Sequence, residues 1–409
     1  MNNIARIWPS DAAGKVPYWV YSDPEVYAAE LDRIWYGPHW LYCGLEAEIP
    51  EVGDFKTTTL AERAVIVARS GPEEVSVLEN RCAHRGVKLC QARKGHAKDL
   101  LCPYHQWNYS LRGDLQGAAF RRGVRGQGGM PADFDPKTIS LRKLRVEVVN
   151  GVVWATFSDD TPAFREYLGE RFWQHYTRVY DGRKLQVLGY NRQHIPGNWK
   201  LMQENIKDPY HASLLHVFFV TFGLFRADQK SATEVDPTGR HGILISRTGA
   251  QEVNDVTSEM RTFRNDIKLA DPRILQGVKE YAGDDTVAMI TVFPSVVLQQ
   301  NQNSLSTRHI VPTGPGSFDF HWTHFCYADD TAEMRLRRTR QANLFGPAGL
   351  VSADDSEIIE MSQQGFGQYP DEDALVIMGG RGMESVEHMA TEVGIRGMYR
   401  YWREAMGYD

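Results

Sequence analysis

Between residues 40 and 157 the apolar positions fall in short runs, WLYCGL, AVIVARS, EVSVLEN and LRVEVVNGVVWATF, cut apart by Gly, Pro and Asn. Short apolar runs interrupted at regular intervals by turn residues predict a small all-β unit. Ahead of it, residues 23–35 (DPEVYAAELDRIW) set Val26, Tyr27, Leu31, Ile34 and Trp35 at helical intervals behind Pro24, which suits a first helical turn. After residue 159 the texture changes. Helix-period stretches such as PAFREYLGERFWQHYTRVY alternate with strand-like AMITVFPSVVLQQNQ, RHIVPTG and FDFHWTHFCYA in no strict βαβ order. This predicts an α+β arrangement, with a mainly antiparallel sheet flanked by helices. The expected division is a helical segment over 1–39 that packs with the larger domain, a small β domain over 40–159, and the larger domain over 160–409. The glycine-rich stretch 123–129 reads as a loop.

A chain of 409 residues has room for two or three domains and a sizeable core. Its 46 Lys and Arg against 52 Asp and Glu leave a formal charge of −6, which gives no support to a nucleic-acid-binding surface. The longest apolar run, 214–225, is interrupted by His216, Thr221 and Gly223 and falls short of the ~20 residues that span a bilayer. The opening MNNIARIWPSDAAGK lacks the apolar core of an export signal, so the expected location is the cytoplasm. Five cysteines, Cys43, Cys82, Cys90, Cys102 and Cys326, are an odd number and too sparse for a disulfide framework. Those beside histidines read as metal ligands.

NRCAHRG and CPYHQW place Cys82 and His84 on one turn and, after seventeen intervening residues, Cys102 and His105 on another. Gly86 and Pro103 supply the small or rigid residues such turns need. A hairpin bringing the turns together would converge two thiolates and two imidazoles. A structural Cys₂His₂ zinc site is one reading. Zinc fingers, however, group cysteine with cysteine and histidine with histidine, whereas each turn here offers one of each. The mixed order suits a two-iron cluster with Cys82 and Cys102 on one iron and His84 and His105 on the other, and it resembles the Rieske [2Fe-2S] motif. Cys90 lies outside the pattern and reads as a buried or partly buried thiol, and Trp107 as a shield for the cluster.

Farther on, QENIKDPYHASLLH carries Glu204, Asn205, Asp208, His211 and His216. Asp208 and His211 share a helix face, but the five-residue step to His216 requires a local break. Two imidazoles and a carboxylate make the facial triad of non-haem Fe(II) oxygenases. The acid would come from SADDSEIIE, where Asp354, Asp355, Glu357 and Glu360 crowd one helix start, and spacing does not choose among them. Ser352 with Asp355 also fits a capping box, and Asp208 also fits the N-cap of a helix beginning at Pro209.

Taken in order, C-x-H-R-G, C-x-x-H-x-W and E-N-x-x-D-x-Y-H-x-x-x-x-H resemble, over nearly the whole chain, the large (α) subunit of the Rieske non-haem iron aromatic-ring-hydroxylating oxygenases. The resemblance implies His211, His216 and Asp355 as ligands of a mononuclear iron. It implies Asp208 as a bridge between His211 and the partner subunit's His105, with Asn205 beside it. It also implies an α₃ ring, joined by a small β subunit as α₃β₃, with O₂ as co-substrate and electrons from NAD(P)H through a separate reductase and ferredoxin. The basic run Arg121, Arg122, Arg125 is either a dock for that ferredoxin or a solvated loop. GRKLQVLGY, NSLSTRHI and QANLFGPAGLVSADD are similar to the branch acting on benzoate-like acids. The implied reaction is salicylate 5-hydroxylation to gentisate. Dioxygenation of anthranilate, terephthalate or another aromatic carboxylate is the alternative, and a Rieske electron carrier the non-enzymatic one.

A carboxylate substrate needs a counter-charge in an otherwise apolar pocket. Arg308 follows the strand-like run VVLQQNQNSLST, and Gln300 and Gln302 share its parity, so all three could point to one face, either toward the substrate or in a polar network of the sheet core or an interface. Resemblance to terephthalate-using relatives adds Arg396. Met202 and Asn205, one or two turns before Asp208, are expected near the substrate or the bridge. RLRRTR, around residue 338, reads as a solvated helix face.

Overall fold

The computed structural model describes residues 6–247, 254–349 and 351–408. The chain forms two compact units, one of Tyr36–Thr161 and one joining Met1–Trp35 to Pro162–Asp409.

The first unit is built from antiparallel strands. Leu41–Leu45, Arg145–Val149 and Val152–Thr156 make one sheet. Asp54–Leu60, Arg63–Gly71, Glu74–Glu79 and Lys94–His96 make a second, and three strands of two or three residues each between Leu100 and Gly117 make a third. Ile66, Leu78, Leu100, Tyr109 and Leu141 close the core around Cys82 and Cys102. The two cysteines are thus buried, while His84 is exposed and His105 half-buried. Arg121, Arg122 and Arg125 lie in a loop outside the strands.

In the second unit helix α1 (Pro24–Glu30) starts on the carboxylate of Asp23, which accepts from the backbone N–H of Glu25 and Val26. It widens into a π turn over Leu31–Trp35, so the expected helix is present but not uniform. Seven strands follow: β1 (Leu185–Ile195), β2 (Ser231–Val235), β3 (Gly242–Ser246), β4 (Val287–Val292), β5 (Val296–Asn301), β6 (Ser304–Gly314) and β7 (Ser317–Tyr327). They form one antiparallel sheet in the order β1-β7-β6-β5-β4-β3-β2. Every residue of β5 is buried, so this strand is covered on both faces and reads as a continuous apolar and amide run.

Helix α2 (Trp199–Lys207) packs on β3, β4 and β6, and the short helices α3 (Pro209–Leu215) and α4 (Val217–Thr221) follow it directly. Helix α5 (Ser352–Gln368) packs on α2 and β1, and α6 (Val393–Met406) on α2 and β2. One buried carboxylate ties three of these helices. Glu30 accepts from Trp199 Nε1 at 2.8 Å and from Trp402 Nε1 at 2.7 Å, and pairs with Lys200 Nζ at 2.6 Å, with Glu30 and Lys200 both fully buried. Within RLRRTR, Leu336 and Thr339 are exposed as a solvated face requires, but Arg338 departs from expectation. Arg338 is fully buried, because Asp330 and Glu280 supply counter-charges and the Asn303 carbonyl accepts from Nη1 at 2.6 Å. Among the described residues no helix is long and apolar enough to cross a membrane.

Removing one partner of a buried, hydrogen-bonded ion pair strands the other. Glu30→Ala is therefore expected to cost about 3–5 kcal/mol of stability, measured by denaturant unfolding followed through tryptophan fluorescence. An unchanged midpoint would contradict the role given to this carboxylate.

Candidate metal centres

The Cys82 and Cys102 loops repeat one hydrogen-bond pattern. Cys82 N donates to Val87 O at 2.8 Å and Gly86 N to Cys82 O at 2.9 Å; Cys102 N donates to Trp107 O at 2.8 Å and Gln106 N to Cys102 O at 3.0 Å. In both loops the residue four past the cysteine is left-handed, Gly86 at φ 72° and Gln106 at φ 55°. The equivalent of Gly86 is therefore Gln106 rather than Pro103, a position that residue type conceals because a non-glycine seldom takes positive φ. The His84 and His105 rings stand 4.8 Å apart, and Trp107 stacks on His84 at 4.6 Å with an interplanar angle of 6°. Burial opposes a thiolate at Cys82, yet the Tyr109 hydroxyl at 3.2 Å and the N–H groups of His84 and Arg85 outweigh it and lower the thiol pKa. Partial desolvation, His105 and Arg85 lower that of His84 and keep its imidazole neutral. Two buried sulfurs, with the Cys82 thiol inclined to ionise, and two outward imidazoles fit a mixed-ligand iron–sulfur cluster. Cys90 stands apart, its thiol directed to Ala92 O.

The second centre depends on breaks between helices. Asp208 ends α2 and begins α3, its Oδ1 accepting from Tyr210 N at 2.9 Å and His211 N at 3.3 Å, while Oδ2 lies 3.6 Å from His211 Nδ1. It is both the helix cap and the histidine's neighbour. Helix α3 then stops at His216, whose backbone is extended (ψ 95°), and α4 restarts after it. That break is what lets residues five apart converge, with ring centroids at 5.4 Å. Asp355, buried in the first turn of α5, places Oδ1 3.4 Å from His211 Nε2 and 3.1 Å from His216 Nε2. Asn205 Nδ2 donates to the same oxygen at 3.0 Å.

One ligand atom from each of His211, His216 and Asp355 lies within 4.8 Å of the others, so these three could hold a metal ion. Of the four candidate acids, Asp355 is the one that reaches both imidazoles. Asp354 instead faces His216 Nδ1 at 3.2 Å, and Glu357 is exposed. No capping box forms, because α5 starts at Ser352 itself behind Val351. Burial opposes charge at His211, but Asp208 and Asp355 raise its pKa to about 10. Burial likewise opposes ionisation of Asp355, yet the two imidazoles hold it far below the ordinary carboxylate range. The site is thus arranged around a positive charge. With carboxylates at both Nδ1 atoms and both Nε2 atoms directed toward one oxygen, the donor set is that of a facial triad with its outer partners in place.

The triad opens on a pocket with about 480 Å³ of space between its atoms, part of it open to solvent. Phe219, Phe225, Leu244, Met289 and Phe345 make its apolar wall, and Asn205, Gln299, Asn301 and Arg308 are its uncharged amides and one cation. Arg308 and Asn205 are where the sequence places them. Gln300 and Gln302 are not. Gln302 (φ 53°) and Asn303 form a two-residue turn that pairs Asn301 with Ser304 and Val297 with Arg308. Across such a turn the parity inverts, so even-numbered Arg308 shares its face with Gln299 and Asn301. Gln300 turns away, accepting from Arg178 Nη1 at 2.7 Å and donating to Thr286 O at 2.9 Å. Met202 is buried but does not line the pocket. Arg396 does not line it either. This guanidinium is spent on backbone, donating to Gly382 O at 2.9 Å and to Val376 O and Met378 O at 3.0 Å, which fastens the preceding loop to α6.

Two family models match the chain: the Rieske [2Fe-2S] domain over residues 39–125 and the ring-hydroxylating alpha subunit catalytic domain over 171–408. The chain is 53% identical to the large oxygenase component of salicylate 5-hydroxylase from Ralstonia sp., covering 98% of this chain and 96% of that one. It is 42% identical to the anthranilate 1,2-dioxygenase large subunit of Burkholderia cepacia (98% and 95% covered) and 41% identical to a terephthalate 1,2-dioxygenase terminal oxygenase alpha subunit of Comamonas sp. (98% of each). Among solved structures, naphthalene 1,2-dioxygenase with indole bound superposes with a TM-score of 0.80 at 21% identity, covering 99% of this chain and 95% of that one.

Hydrogen bonds to cluster sulfurs help to set the reduction potential, because they stabilise the more negative reduced state. Tyr109→Phe is expected to lower the potential by roughly 40 mV, the one-electron equivalent of a hydrogen bond worth ~1 kcal/mol. Protein-film voltammetry reads this directly, and an unchanged potential would remove Tyr109 from the account.

Proposed function

The chain belongs to the ring-hydroxylating oxygenase α subunits, and from that membership we propose that this terminal oxygenase hydroxylates a benzoate-type aromatic acid, converting salicylate to gentisate. As the large component of a multicomponent system it carries a Rieske [2Fe-2S] cluster and a mononuclear iron and uses O₂ with electrons from NAD(P)H, delivered by a reductase and ferredoxin. We assign the cluster to Cys82, His84, Cys102 and His105, and the iron to His211, His216 and Asp355. The Rieske domain is taken as residues 40–159 and the catalytic domain as 160–409, with 1–39 packed on it.

One observation carries the aromatic-acid reading. Arg308 is buried at 4% exposure in the pocket wall and, among the described residues, has no acidic partner at salt-bridge distance. Its Nη2 meets Met289 Sδ at 3.0 Å, and its guanidinium carbon lies 4.8 Å from the centre of the Trp322 ring. Burial lowers its pKa to about 10, against the opposing pull of Asp355. A desolvated cation with a thioether in place of a counter-ion is costly, and a substrate carboxylate would complete it. Phe219, Leu244 and Phe345 offer the ring an apolar enclosure that excludes bulk water.

When bound, the cluster supplies electrons and the iron supplies the dioxygen activation that no side chain can perform. The chain's own residues position. Asp208 holds His211 by its Nδ1 side, Asp354 does the same for His216, and Asn205 steadies the Asp355 carboxylate. We assign Asp208 a second role, bridging His211 to the partner subunit's His105 in an α₃ or α₃β₃ ring with a small β subunit, in the cytoplasm. Dioxygenation of anthranilate or terephthalate is the alternative favoured by the 42% and 41% identities. The complete triad argues against a bare electron carrier.

With reductase and ferredoxin supplied, salicylate is expected to yield gentisate, one oxygen atom heavier by mass spectrometry, ahead of anthranilate, benzoate and terephthalate. Inert salicylate beside a turned-over competitor would overturn the substrate assignment. Asp208→Ala is expected to keep the cluster absorbance and iron content but to cut coupled product formation by about 100-fold. Full turnover by that variant would remove the bridge.

A further inference from the structure

Asn301 occupies the pocket-facing side of β5, at the end of the strand where the turn to β6 begins. Its side chain is 3% exposed, and its carboxamide oxygen accepts no hydrogen bond. Arg308 Nε, on the same face, donates none. Both residues line the space a substrate would fill, and each keeps one buried polar atom without a partner, an acceptor on Asn301 and a cationic donor on Arg308. Leaving a buried carbonyl oxygen unpaired costs about 1–3 kcal/mol. Phe219, Phe225, Leu244, Met289 and Phe345 line the same space and offer that oxygen no hydrogen-bond donor.

We infer that the substrate carries, besides its carboxylate, a second ring substituent that donates a hydrogen bond, a hydroxyl or an amino group, and that Asn301 is the residue that selects it. The inference rests on the aromatic-acid reading and sharpens it. Benzoate offers the anion but would cover the Asn301 oxygen with carbon. Terephthalate would bring a second anion against an acceptor. A ring hydroxyl or amine satisfies that oxygen, and sites built around a substrate donor reject analogues lacking it far more strongly than apolar pockets reject a missing methylene.

The test is equilibrium binding by calorimetry to the purified, metal-loaded protein under anaerobic conditions. The ligands are benzoate, terephthalate, anthranilate and the 2-, 3- and 4-hydroxybenzoates. At least one donor-bearing acid is expected to bind about tenfold more tightly than benzoate. Asn301→Leu is expected to shrink that gap to within about twofold by weakening the donor-bearing acid alone. Asn301→Asp, which keeps an acceptor of the same shape, is expected to retain the preference while weakening all the anions. An equal loss for every acid in Asn301→Leu, or a gap that survives it, overturns the inference. Arg308→Met separates the two readings, because it should weaken all the acids by a common factor. If it leaves all of them unaffected, or if none binds the unaltered protein, the aromatic-acid reading fails, whatever Asn301 does.

Discussion

Two carboxylates that sit beside the candidate metal centre, rather than in it, decide what it can do. Asp208 faces His211 Nδ1 and Asp354 faces His216 Nδ1, so both rings present Nε2 to Asp355. An imidazole is a useful ligand only when its tautomer and tilt are fixed, and an acid on the far nitrogen fixes both. The backbone is shaped around the same arrangement. Asp208 caps α3 with the carboxylate that faces His211, and the stop at His216 bends the chain so that a five-residue spacing closes instead of splaying.

In the sheet beneath, β3 and β5 are buried along their whole length. Its β5–β6 turn determines which amides of a glutamine- and asparagine-rich run look into the pocket, and the buried Arg338 holds that turn through the Asn303 carbonyl. Glu30 fastens α1, α2 and α6 together at the start of the helix that leads into the metal-binding segment. The polar groups of the core thus position the pocket wall and the helix breaks. Arg308 and Asn301 differ, each keeping a buried polar atom without a partner on a residue that lines the pocket.

Much of this was legible in the residues. Cys-x-His and Cys-x-x-His point to two candidate ligand loops, which share one hydrogen-bond pattern, because the chemistry requires those donor types on turns. The Asp, His, His run points to the candidate triad for the same reason. What stayed hidden depends on through-space geometry. Parity counted along 300, 302 and 308 fails because a two-residue hairpin inverts it, a reversal invisible until the turn is located. Gln106 gives no sign of its left-handed backbone, and Arg396 resembles a free cation until its three carbonyl partners are seen. Asp354 and Asp355 are adjacent and chemically alike, yet helical rotation sends one to Nδ1 and the other to both Nε2 atoms.

The central claim is that one polypeptide holds two distinct iron stations, a cluster on two cysteines and two histidines and a single iron on the 211/216/355 triad. Iron and acid-labile sulfide analysis of the purified chain tests it most directly. The account predicts about three iron atoms and two sulfides per chain, two irons in the cluster and one on the triad. Two irons and two sulfides, with no divalent metal taken up when iron is supplied anaerobically, would contradict it.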